Sequence, residues 1–157
     1  MKKIMILLLV LGAISGLFAQ RGLFNLSYGN TMAEVDSILA LHTFYPAESG
    51  KNYVKYYSDI NELVESIMVF VHPASQRTVG WFIKYSRENS RESDELVIQR
   101  IMNMHGEKNH LDKETGQLIW FLSTTRSLHL IYAEDESLTA LYFDSYFADL
   151  FQVENGQ

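Results

Sequence analysis

Cysteine is absent from the chain. Its absence excludes disulfides, thiolate metal sites, cysteine nucleophiles, iron–sulfur clusters and bacterial lipid attachment. Basic residues are few: 13 Lys and Arg stand against 19 Asp and Glu. No basic stripe is visible, and phosphate binding needs one, so nucleic acid and anionic membrane surfaces are poor partners. The nine glycines are isolated, and neither a dinucleotide-binding fingerprint nor a phosphate loop is written anywhere. No G-x-S-x-G elbow occurs, which removes the commonest serine-hydrolase context. What remains is an ordinary globular mix, 47% hydrophobic and 13% aromatic over 157 residues, enough for one compact unit or two small fused ones.

There is a single long hydrophobic run. Lys2 and Lys3 precede Ile4–Phe18, an apolar stretch broken only by Gly12, Ser15 and Gly16 and followed by Ala19. This reads as a secretory signal, residues 1–19, shorter than a bilayer-spanning helix needs, with a retained N-terminal anchor as the alternative. Its removal takes two lysines and no acid, leaving 11 basic residues against 19 acidic. The exported chain then carries a net charge of about −8. A cysteine-free exported protein suits a bacterial periplasm or exterior, with no membrane insertion once the signal is gone.

The remaining chain repeats itself. Val35-Asp-Ser-Ile38-Leu39-Ala-Leu41-His42 aligns with Ile98-Gln-Arg-Ile101-Met102-Asn-Met104-His105, and a polar loop with Gly50 or Gly116 follows each. Three strand-like runs come next in each half: Tyr53–Tyr57, Ser66–Val71 and Thr78–Ser86, then Gln117–Ser123, Ser127–Ala133 and Leu138–Asp144. Thr31 and Glu34 form a capping box for the first helix, whose buried stripe is Met32, Val35, Ile38 and Leu39. Ser90 or Ser93 caps the second, with Leu96, Val97, Ile101 and Met104 as its stripe and Gly106 as its stop. Short connections at Ser123–Arg126 and Glu134–Glu136 make the sheets antiparallel. The expected fold is α+β: two tandem α-β-β-β modules, residues 20–86 and 87–145, fused into one compact unit, with residues 146–157 as a C-terminal tail.

Leu23-Phe24-Asn25-Leu26-Ser27-Tyr28-Gly29-Asn30-Thr31-Met32-Ala33-Glu34-Val35 resembles the F-x-x-(I/L)-x-(W/Y)-G-M-S-x-x-E-V opening of uncharacterised small secreted bacterial proteins. Met104-His105-Gly106, Ile119-Trp120-Phe121 and Thr125–Leu130 resemble their later segments. One departure is Asn30-Thr31-Met32, where the pattern places Met-Ser or Met-Thr after the glycine. The α-β-β-β arithmetic is similar to the folds of the outer-membrane-assembly lipoprotein BamE and of β-lactamase inhibitory protein. That likeness implies a binding module rather than an enzyme, with no cofactor, and leaves the partner open.

Three functional readings follow. Each helix covers one sheet face, and the other carries Trp81, Tyr85, Trp120, Tyr132 and Tyr142, which read either as sheet core, where aromatics are favoured, or as aromatic anchors for a protein or peptide. His105, Glu107 and His110, with Asp112 nearby, form the most enzyme-like string, two imidazoles and a carboxylate for a metal-dependent hydrolase. Their spacing does not match H-E-x-x-H, and a helix-end histidine stabilised by the helix dipole, followed by a polar loop, accounts better for His105, since His42 ends the first helix with no matching ligands. A third reading is self-association through an open sheet edge near Tyr53–Tyr57.

Overall fold

The computed structural model describes residues 21–107 and 110–152. The expected export segment, residues 1–19, lies outside the described residues, as does the tail beyond Gln152. The chain runs α1 (Met32–Ala40), β1 (Tyr45–Ser49), β2 (Tyr53–Tyr57), β3 (Val64–His72), β4 (Arg77–Tyr85), α2 (Arg91–His105), β5 (His110–Leu111), β6 (Leu118–Phe121), β7 (Arg126–Tyr132) and β8 (Leu138–Asp144). Single 3-10 segments, Leu23–Asn25 and Ser145–Phe151, flank this series. The fold is mixed α+β. No helix among the described residues is long and apolar enough to cross a membrane.

The helix ends follow the local chemistry. Glu34 Oε2 accepts from the Thr31 backbone N–H at 2.7 Å, and Thr31 Oγ1 accepts from the Glu34 N–H at 3.3 Å, closing the capping box of α1. Such a cap satisfies N–H groups that no helical carbonyl reaches. Ser90, not Ser93, caps α2, accepting from the Ser93 N–H at 3.2 Å. Gly106 ends α2 at φ 84°, a conformation that costs glycine little and other residues much. The buried side of α2 is rotated from the expected stripe. Ile101 is buried and Val97, Ile98 and Met102 pack on the core, while Leu96 and Met104 face solvent.

All strands join one antiparallel sheet in the order β1-β2-β3-β4-β8-β7-β6-β5. Two short strands were not foreseen. β1 contains Pro46 and is exposed along its length, as suits an edge strand, and β5 has only two residues. They form the two edges, so β2 is paired on both sides. The self-association reading at Tyr53–Tyr57 is thereby corrected: that strand has no free edge. Nor are there two sheets side by side, because β4 and β8 pair directly, Trp81 opposite Tyr142 and Phe82 opposite Leu141.

That pairing sorts the sheet into two faces, since successive residues of a strand point opposite ways. One cross-strand row runs Val54, Val69, Trp81, Tyr142, Leu128, Trp120. It belongs to the main core, together with Val35 and Leu39 of α1 and Ile101 of α2. Both helices therefore cover this face. The row on the opposite face runs Lys55, Met68, Phe82, Leu141, His129, Ile119, His110. No helix covers it.

Candidate functional site

Trp81, Tyr85, Trp120 and Tyr142, expected on the helix-free face, lie on the helix-covered one and are buried, none more than 4% exposed. The correction is one of parity. Both alternate sets in these strands are apolar, so a shift of one residue exchanges the faces. Trp81 stacks on Tyr142 with ring centroids 4.3 Å apart, and the Trp120 indole N–H donates to the Gly106 carbonyl at 3.1 Å. Tyr142 Oη accepts from the Leu23 N–H at 3.0 Å and shares a hydrogen bond with His105 Nε2 at 3.0 Å. These aromatics tie the first 3-10 turn, the end of α2 and the sheet together. Tyr132 alone of the set is exposed; its hydroxyl donates to Asp94 Oδ2 at 3.1 Å.

The metal reading does not assemble. His105 Nε2 is engaged by Tyr142, and burial holds its imidazole below the ordinary range, favouring the neutral form. His110 lies on the edge strand β5, beside the Phe121 ring. Asp112 Oδ1 is taken by the backbone N–H of Glu114 at 2.9 Å, and this bond holds the carboxyl below its usual range. Among the described residues no group of three or more His, Asp or Glu side chains is placed to hold a metal ion.

The helix-free face carries the alternate residues of the same strands. Phe82, Leu141, Ile131, Ile119 and Phe143 are only half-buried there, and Phe121 is 72% exposed. A hollow of about 350 Å³ is lined by Phe82, Gln117, His129, Ile131, Leu141 and Phe143, with Thr139. A second, of about 260 Å³, adjoins it at His129 and Phe143 and extends over Ile119 and Phe121 to the β6–β7 turn.

One polar island interrupts this surface. His129 Nδ1 lies 3.0 Å from Gln117 Oε1, and His129 Nε2 lies 2.7 Å from Ser127 Oγ. An amide oxygen only accepts, so Nδ1 carries the proton and Nε2 accepts from the serine hydroxyl. Half-burial keeps the His129 pKa below its ordinary value, which favours this neutral tautomer. The trio leaves the Gln117 amide N–H groups available to a partner's carbonyls.

The face is bounded at both ends. The C-terminal 3-10 segment covers one end: Phe151 packs on Phe70 and Phe143 at 4.6 and 4.8 Å, and Phe147 on His72 at 5.4 Å. A β-carbon on Gly80 would lie 2.5 Å from the Phe151 ring, so the absent side chain there makes room for the segment. At the other end Lys84 Nζ bridges Asp135 at 2.8 Å and Glu65 at 2.9 Å. These bonds raise the lysine pKa and hold Asp135 well below the carboxylate range.

Phe82, Leu141, Ile119, Phe121, Ile131 and Phe143 were not expected as site residues, and His129 reads from the sequence as a lone strand histidine, packed or on the surface rather than a base. A signal for them was present. The polar strand residues Lys84, Ser127, His129 and Thr139 share their parity, and polar admixture marks the wetter face of a sheet. No protein-family model, no curated protein and no solved structure matches this chain.

Proposed function

We propose that this protein is an exported, non-enzymatic binding module of the bacterial envelope, docking a protein or peptide on the helix-free face of its sheet. The observation that carries the reading is the row Met68, Phe82, Leu141, His129, Ile119. Five adjacent strands contribute to it, and no helix lies over it. Apolar surface of this extent, rimmed by polar groups, is what interaction sites expose. The Gln117–His129–Ser127 trio offers hydrogen-bonding groups within it, and the bounded ends support a partner seated between them.

The same reading takes the chain as two tandem modules. Each begins with a capped helix and continues into an antiparallel meander, and the last strand of each meets the other at the sheet centre. Likeness to BamE-type and β-lactamase-inhibitory-protein-type folds is part of this proposal, as are the export signal and periplasmic or secreted location.

Photo-crosslinking tests it. A benzophenone amino acid in place of Phe82 or Leu141 captures a discrete species in cells making the protein, while the same group at Leu96, on the solvent side of α2, does not. Equal capture from all three positions, or none from the sheet positions, refutes the docking face.

A further inference from the structure

On the opposite side of the sheet the two helices leave a gap. A cavity of about 250 Å³ opens there between the first 3-10 turn, the β2–β3 and β4–α2 connections and α2. Its walls are Leu23, Phe24, Leu63, Val64 and Val97, and its polar lining includes Arg100, Tyr85, Asn61 and His42. No carboxylate lines it, in a chain where acids outnumber bases.

Arg100, Tyr85 and Asn61 offer donors to it, and His42, Asn89 and Ser93, which can also accept, complete the polar lining. Arg100 makes none of the ion pairs found among the described residues. Tyr85 is only 4% exposed, and its hydroxyl has no hydrogen-bond partner among the described residues. Burial pushes its pKa far up, so it stays a protonated donor. Asn61 Oδ1 is occupied by the N–H groups of Leu63 and Val64 at 3.1 Å each, which leaves its amide N–H groups facing outward from that turn. Asp94, the acid that Tyr85 senses, lies outside the lining, and its Oδ2 is held by Tyr132. Phe24, in the left-handed region at φ 61°, is fixed by edge contacts with His42 and Phe44 at 5.3 and 5.7 Å. A bulky residue rarely adopts that conformation without a constraint.

We propose that this cavity binds a small monocarboxylate with an apolar tail, of the medium-chain fatty-acid class. The Arg100 guanidinium takes the carboxylate, as this planar donor fork does best. The Tyr85 hydroxyl donates to the same head group, and the tail lies against Leu23, Phe24, Val64 and Val97. The volume falls just below that of drug-sized sites, which excludes a long-chain tail.

Octanoate is the probe, with octanamide as its neutral counterpart, read by amide chemical shifts and by titration calorimetry on the purified protein. Octanoate shifts the amides around Phe24, Leu63 and Val97 saturably, and octanamide binds about tenfold more weakly or less. Arg100→Gln weakens octanoate about tenfold and leaves octanamide unchanged; Tyr85→Phe weakens both. Val97→Phe fills the cavity and abolishes binding with the fold intact. The proposal is overturned if octanoate produces no saturable shift, if its shifts fall on the helix-free face, if Arg100→Gln binds it as well as the parent, or if Val97→Phe does.

Discussion

Trp81 and Phe82 are neighbours on one strand with opposite fates, and replacing each by alanine separates them. Trp81 is fully buried and stacked on Tyr142. Truncating a buried tryptophan costs roughly 3–5 kcal/mol. The Trp81 indole N–H is buried without a partner, so its loss also relieves a desolvation penalty of about 1–3 kcal/mol. The net expectation for Trp81→Ala is therefore near the bottom of that range, about 3 kcal/mol. Phe82 is half-buried on a face that no helix covers. Its truncation removes about half of the 1.5–3 kcal/mol that full burial of such a side chain gives, roughly 1 kcal/mol. With a urea slope near 2 kcal/mol per molar, the midpoints fall by about 1.5 M for Trp81→Ala and about 0.5 M for Phe82→Ala. Urea unfolding followed by circular dichroism reads both, and crosslinked capture reads the face: Phe82→Ala weakens it in a protein that remains folded. Equal costs, or a larger cost at Phe82, would show that the two faces have been exchanged.

Two further outcomes follow from the same contacts. Tyr142→Phe strips the acceptor from the buried Leu23 N–H and the hydrogen-bond partner from His105, and thermal or urea unfolding should register a loss of about 1–3 kcal/mol; an unchanged midpoint would mean the N-terminal turn is not anchored there. His105 and His129 have pKa values lowered by burial, so the unfolded chain binds protons that the folded one does not as pH falls below about 6.5. Their contribution is fully present above that pH and declines below it. Unfolding free energies between pH 7 and 5 should fall, and the fall should shrink when both are replaced by glutamine; a flat profile in the parent contradicts the buried neutral imidazoles.

The helices and most strands were legible because their determinants are local. A capping box, a serine cap and a stop glycine act within one turn, and Thr31, Ser90 and Gly106 do what their chemistry dictates. β1 and β5 were not legible. One carries a proline and exposed side chains, the other is two residues long, and edge strands bury too little to print a pattern. The site failed for a different reason. Trp81 and Tyr142 drew attention by size, yet large aromatics are what a core buries first. Which parity faces the helices is decided by packing between segments distant in sequence, such as Ile101 of α2 with the core that holds Trp81. Only the scatter of Lys84, Ser127, His129 and Thr139 in the alternate set records that choice locally.

Because the chain has no cysteine, single cysteines placed along β4 and β8 report the two faces without interference. In the native protein, thiol labelling should be fast at Phe82→Cys and Leu141→Cys and strongly protected at Ile83→Cys and Ala140→Cys, the cross-strand pairs of opposite parity. Protection of the first pair with rapid labelling of the second would contradict the open sheet face on which the whole account rests.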